Sequence, residues 1–102
     1  YFFFRLGTSN LTDSSQLVNL DALAKVVKQY GLAVKVIGAA DSATGNAALN
    51  NSLSASRADY IYSELQKRDI AQNVITKISK GGIDDYSPDE ANRHTKVLLY
   101  FK

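Results

Sequence analysis

The sequence predicts an α/β fold: a small sandwich of a mixed four-stranded sheet with two main helices and a short third helix. Three observations carry this expectation. Aromatic and β-branched runs recur at residues 1–6, 32–37, 74–79 and 96–101. Two stretches between them place apolar residues at helical spacing. A Ser87-Pro88-Asp89-Glu90 quartet marks a third helix start before the last run. The order is strand, helix, strand, helix, strand, short helix, strand.

Each element has a local reason. Tyr1-Phe2-Phe3-Phe4 opens on aromatic residues that favour a pleated, half-buried surface. Residues 7–15 are polar, and Thr12 or Asp13 is placed to cap the helix that follows. Leu17, Leu20, Ala24 and Val27 then share one helix face, with Leu23 and Tyr30 beside it, and Gly31 is placed to end the helix. Residues 32–37 are nearly continuously apolar, as expected of a strand inside a sheet. Ser54 is expected to cap a helix running to about Arg68, with Ala58, Ile61 and Leu65 as its buried stripe and Tyr62 widening it. A helical turn near residues 47–51 precedes it. Residues 74–79 alternate imperfectly, and Gly81-Gly82 is expected to break that strand. The first two strand–helix–strand units suit right-handed crossovers, whereas the direction of the last strand is left open.

Composition excludes several function classes. The chain has 102 residues, 45% hydrophobic and 22% charged, which suits one packed domain. A net charge of +2, with basic residues spread along the chain, gives no concentrated face for nucleic acid. Cysteine is absent, so no disulfide, thiolate metal site or cysteine nucleophile exists. No run is long enough to span a membrane. The chain opens on a strand already under way and is expected to be a single domain, residues 1–102, excised from a longer protein that carries any targeting segment and anchor.

Residues 38–58 hold the candidate site. Asp41 lies beyond the strand ending near Ile37, where ligands of open α/β sheets bind. Arg57 follows the expected cap Ser54 and so falls in the opening turn of its helix. A cation there opposes the helix dipole, and a bound carboxylate, or Asp41 itself, would explain it. Gly45, Asn46, Asn50 and Asn51 connect the two, and small or amide residues let backbone groups approach a ligand. The pair therefore suits a ligand that carries both an ammonium and a carboxylate. It also suits a plain surface ion pair, worth about 0–1 kcal/mol.

The same segment resembles the signature of the OmpA-like domain, the outer membrane protein A C-terminal family that includes peptidoglycan-associated lipoproteins and flagellar stator proteins. The family pattern reads roughly G-x-[TA]-D-x-x-G-x-x-x-Y-N-x-x-L-S-x-x-R-A. Gly38, Ala40, Asp41, Gly45, Asn50, Leu53, Ser54, Arg57 and Ala58 match it. Residues 4–11 resemble the family's first strand and turn, and Asn92-Arg93 followed by Val97-Leu98-Leu99 resembles its closing segment. The resemblance implies non-catalytic binding of the peptidoglycan stem peptide, chiefly its diaminopimelate residue, by a periplasmic domain that tethers the outer membrane to the wall. It implies Asp41 as partner of the ligand's ammonium and Arg57 as carboxylate clamp. Asn50 and Leu53 would line the pocket, Arg93 would help from the last connection, and the turn around Thr8 would offer backbone groups. No cofactor and no metal are implied, and a homo-oligomer is left open. Leu49 stands where the family has tyrosine, Ala39 where histidine or tyrosine is frequent, His94-Thr95 where a second arginine and its neighbour are usual, and the Asp41–Gly45 connection is one residue longer.

Other features read more plainly. His94 is the single histidine and reads as a surface or strand-edge residue without catalytic partners. Asp84, Asp85, Asp89 and Glu90 form an acidic loop without EF-hand spacing. The six tyrosines form no stacking platform at any fixed spacing and read as core or boundary residues. An interaction domain that keeps the fold without wall binding is the alternative function. An enzyme lacks a paired-carboxylate, metal or nucleophile constellation in the sequence.

Overall fold

The computed structural model describes residues 1–102. The chain forms β1 (Phe2–Phe3), α1 (Leu17–Tyr30), β2 (Ala33–Asp41), α2 (Ala47–Lys67), β3 (Ile75–Ile83) and β4 (His94–Tyr100). Short 3-10 turns at Ser14–Gln16, Gln72–Val74 and Asp89–Asn92 join them. The four strands make one sheet in the order β1-β4-β2-β3. β2 and β3 pair in parallel around α2, a complete strand–helix–strand unit. β4 is antiparallel to both β1 and β2 and lies between them. β1 and β2 therefore run parallel with the last strand inserted, which settles the direction that the sequence left open.

The helices bury a shared core on one sheet face. Leu20, Ala24 and Val27 of α1 and Ala58, Ile61 and Leu65 of α2 meet Val34 and Val36 of β2. Asp13 accepts from the Ser15 amide at the entry to α1, and Gly31 ends the helix in the left-handed conformation (φ 62°). Arg68 at the end of α2 bonds Asp21 of α1 and Glu64 of its own helix, tying the two helices at the surface.

Four expectations need correction. α2 begins at Ala47, capped by the Asn46 side chain, which accepts from the Leu49 amide at 2.8 Å. The cap is therefore Asn46, not Ser54, and the foreseen turn at 47–51 is the first turn of one long helix. β2 continues to Asp41 and β3 to Ile83, straight through Gly81-Gly82. The glycines do not end β3 because the register shifts there, with Gly38 opposite Ser79 but Ala40 opposite Gly82. Gly81 takes φ 72° at this bulge. Ser87 caps nothing: Pro88 holds the cap position of a single 3-10 turn without a side-chain bond. His94 is buried, 3% exposed, beneath the rings of Tyr1, Phe3 and Tyr86, so it is no surface residue.

Gly38 sets how closely α2 approaches the sheet. A Cβ there would lie 1.9 Å from the Ser54 carbonyl oxygen and 2.9 Å from the Ala58 nitrogen. Both obstacles are backbone and cannot rotate away. Ser54, fully buried, uses the same proximity: its hydroxyl meets Ser79 Oγ and accepts from the Gly81 amide at 2.9 Å. Gly38→Ala is therefore expected to destabilise the domain by about 3 kcal/mol, at the upper end of overpacking costs, read as a lowered midpoint in urea unfolding.

His94 supplies a pH dependence. Its Nδ1 lies 2.7 Å from the Ala91 carbonyl oxygen. Burial, helped by Lys80 and Lys96 nearby, holds its pKa below the ordinary 6.5. The unfolded chain takes up this proton more readily than the folded one. The stability so gained is present above about pH 6.5 and is lost as pH falls through the folded value. Thermal midpoints are expected to decline between pH 7 and pH 5, with His94→Gln flattening that limb and leaving the carboxylate-driven loss at lower pH.

Candidate functional site

Asp41 ends β2 with its carboxylate at the carboxyl end of the sheet, as its place after the apolar run implies. It is only 4% exposed. Its Oδ1 accepts from the Ala43 amide at 2.9 Å, and its Oδ2 accepts from Arg93 Nη2 at 3.1 Å. Arg93 arrives from the residue that links the last 3-10 turn to β4, so the pair joins segments far apart in sequence. Its Nε is buried and has no hydrogen-bond partner. A guanidinium donor without an acceptor in such a place is costly, and an incoming anion would satisfy it.

Arg57 lies about three turns into α2, not in the opening turn. The helix dipole, which acts only over the terminal turn, does not account for it. It is 1% exposed. Nε donates to the Thr8 carbonyl at 2.9 Å, Nη1 to the Ala39 carbonyl at 2.9 Å, and Nη2 to the Arg5 carbonyl at 3.3 Å. The guanidinium also stands over the Phe4 ring, 5.6 Å from its centroid. Burial and then the charge of Arg93 lower its pKa to about 10, while Asp41 opposes that shift. Arg57 thus remains a cation at neutral pH. It feels Asp41 but does not pair with it.

The other candidates serve the surrounding loops. Asn50 is buried, and its Nδ2 donates to the Thr44 carbonyl at 3.1 Å, which folds residues 42–46 back against α2. Thr44 in turn bonds the Asp41 carbonyl through its amide and its hydroxyl. Thr8 closes the turn after β1: its hydroxyl donates to the Arg5 carbonyl and accepts from the Asn10 amide. The Thr8 carbonyl faces Arg57. Leu53 is half-buried on α2. The structure thus joins Asp41 directly to Arg93, sets Arg57 beside them under the Thr8 turn, and keeps Asn50 at the base of the neighbouring loop.

Two hollows open near this cluster. A groove of about 570 Å³ runs between β1 and the last 3-10 turn, with Phe3, Arg5, Thr12, Glu90 and Arg93 among its walls. A polar hollow of about 410 Å³ lies at the start of α2, between Ser42, Asn46, Asn50 and Lys80. Sequence reasoning missed the Ala39 and Arg5 carbonyls that hold Arg57, because a backbone acceptor has no residue signature. It also missed the direct Arg93–Asp41 pair, which only the inserted position of β4 creates. No group of three or more histidine, cysteine or carboxylate residues is placed to hold a metal ion.

The model of the OmpA family matches residues 3–96. Outer membrane protein 40 of Porphyromonas gingivalis is 32% identical over 96 residues, which is 94% of this chain and 25% of that protein. The chain therefore spans about a quarter of the length of this curated relative. Among solved structures, the peptidoglycan-associated lipoprotein from Burkholderia pseudomallei superposes with a TM-score of 0.85 at 16% identity, covering 97% of this chain and 88% of the other. The C-terminal domain of Helicobacter pylori MotB gives 0.78 at 19% identity, covering 99% and 84%. The OmpA-like domain of FopA1 from Francisella tularensis gives 0.75 at 16% identity, covering 96% and 67%. At these identities the structural likeness speaks for the fold, and the family match over nearly the whole chain speaks for descent: the chain belongs to the OmpA family.

Proposed function

We propose that this domain binds the stem peptide of peptidoglycan through the free end of its diaminopimelate residue. It would thereby tether the outer membrane to the wall from the periplasm, by recognition without catalysis. The family is one associated with peptidoglycan. The observation that carries the reading is the charge count of the cluster. Two guanidinium groups, Arg57 and Arg93, face one carboxylate, Asp41, and Arg93 Nε lacks an acceptor. A buried group with surplus positive charge and a free donor calls for an anion, while the Asp41 carboxylate attracts an ammonium. The side-chain end of diaminopimelate carries both.

In this reading the ligand carboxylate meets Arg93 first. Arg57 reaches it only as the turn from Arg5 to Thr8 gives up its carbonyl contacts, and Thr8 then offers its backbone to the peptide. Asn50 fixes the adjoining loop, and Leu53 supplies apolar helix surface. Each charge-assisted hydrogen bond contributes about 1.5–3 kcal/mol. Modest affinity at one site suffices for a tether, because many copies on one wall act together.

A second reading has a specific observation in its favour. Arg57 is buried and already bonded to three carbonyls, so it suits a brace in an interaction domain that keeps the fold without wall binding. Nuclear magnetic resonance titration with a soluble diaminopimelate tripeptide separates the two. Shifts at Asp41 and Arg93 are expected from wall binding, and unmoved signals there favour the second reading.

Two predictions test the site. Asp41→Asn and Arg93→Ala are each expected to abolish pull-down on diaminopimelate-type sacculi while thermal unfolding remains cooperative. Wild-type binding by both variants would sink the assignment. Lysine-type sacculi, which lack the side-chain carboxylate, are expected to retain less protein.

Arg57→Ala is expected to cost about 3 kcal/mol or more in denaturant unfolding, since three carbonyls lose a charged donor. Arg57→Lys cannot span the three acceptors and should recover only part of that loss. Sacculus binding by folded Arg57→Lys decides the arginine's role: a loss marks a ligand contact, and full retention marks a brace.

A further inference from the structure

The sheet face away from the helices carries an aromatic cluster. Tyr1 and Phe3 stack with centroids 6.1 Å apart and planes 11° apart. Tyr86 folds over from the loop before β4 and meets Tyr1 edge-on at 6.0 Å, with the two hydroxyls hydrogen-bonded at 2.8 Å. His94 forms the floor, edge-on to all three rings. Phe3 is 36% and Tyr86 41% exposed, so these rings are presented to solvent rather than packed in the core. Between them lies an apolar cleft of about 190 Å³, bounded by Tyr1, Phe3, Tyr86 and Ala91.

Position and charge narrow what this cleft would take. Phe3 and Ala91 also line the groove that ends at Arg93, so the cleft continues that groove. At about 190 Å³ and walled by rings, it has room for one flat ring. A cationic ligand is disfavoured, since Lys96 Nζ already stands 5.7 Å from the Tyr1 ring centroid. Lys80 adds a second positive charge close to Tyr1 and His94. A second copy of this chain placed face to face would set these lysines against their equivalents. A pyranose ring fits the surroundings: its C–H face packs on an aromatic ring, and its hydroxyl and acetamido groups reach the tyrosine hydroxyls and lysine ammonium groups at the rim.

We propose that the cleft between Tyr1, Phe3 and Tyr86 is a sugar subsite, which receives the amino sugar bearing the stem peptide bound near Asp41 and Arg93. This rests on the peptidoglycan reading above and extends it from peptide to glycan. The domain would then read the junction between the two parts of the polymer, with a charged end for the peptide and an aromatic end for the sugar.

The test compares two soluble ligands: a diaminopimelate tripeptide, and the same tripeptide on N-acetylglucosaminyl-N-acetylmuramic acid. The disaccharide form is expected to bind about three- to tenfold more tightly, the range of a single aromatic packing contact. It alone should shift the ring protons of Tyr1, Phe3 and Tyr86. Tyr86→Ala is expected to remove that gain and leave tripeptide affinity unchanged, and Tyr86→Phe to keep most of the gain. The loop itself should persist in both variants, because the Tyr86 amide and carbonyl are held by the Asn92 side chain. Equal affinity for the two ligands with unmoved ring signals would overturn the subsite and leave the peptide reading intact. Ring shifts with the disaccharide form but no binding of the tripeptide would support the subsite and sink the diaminopimelate assignment. Ring signals that change with protein concentration alone would show a second copy covering the cleft and overturn the proposal.

Discussion

The Arg57 guanidinium, buried in α2, holds the turn after β1 and the sheet by direct hydrogen bonds. Its three nitrogens hold the carbonyls of Arg5 and Thr8 in the turn after β1 and of Ala39 in β2. Its own carbonyl accepts from Thr95 Oγ1 of β4 at 2.8 Å. One residue of α2 therefore fixes the turn, the centre of the sheet and the last strand together. A buried cation is tolerated only when its donors are met, and here backbone oxygens meet them. Those acceptors carry partial charges, so the full charge of Arg57 remains to be felt by Asp41 and Arg93 beside it. Structural bracing and a local positive potential come from the same side chain.

Much of the architecture was legible because it rests on short-range rules. Leu20, Ala24 and Val27 mark the face of α1 by spacing alone, and Gly31 ends it by its freedom to take positive φ. Ala58, Ile61 and Leu65 do the same for α2. What escaped is non-local. Ser54 looks like a cap by type and position, yet Asn46 caps the helix and Ser54 is buried against the β3 bulge. Gly81-Gly82 looks like a break, yet the bulge absorbs Gly81 and pairing resumes at Gly82. The Asn46 cap is local, but the burial of Ser54 and the continuity of β3 both depend on α2 lying against β3.

The site follows the same division. Asp41 at the end of a strand and an asparagine-rich connection are visible in a linear reading. The partner of Asp41 is not, since Arg93 reaches it only because β4 is inserted between β1 and β2. The case first made for Arg57, a cation at a helix start, fails once the helix begins at Ala47. A stronger physical case replaces it: burial, three oxygen acceptors and a neighbouring like charge. The tyrosines gave no periodic signal, and Tyr1 meets Tyr86 only across the edge of the folded sheet.

The placement of β4 also bears on how the domain assembles. The fourth strand in sequence order lies inside the sheet, so β1 has no ladder partner until residues past Arg93 are available. Before then, the aromatic opening segment lacks its hydrogen-bonded neighbour, and Asp41 lacks its counter-charge. Such end-to-end pairing makes for slow, all-or-none acquisition of order. It leaves the folding domain exposed to mispairing until the seven residues of β4 are available.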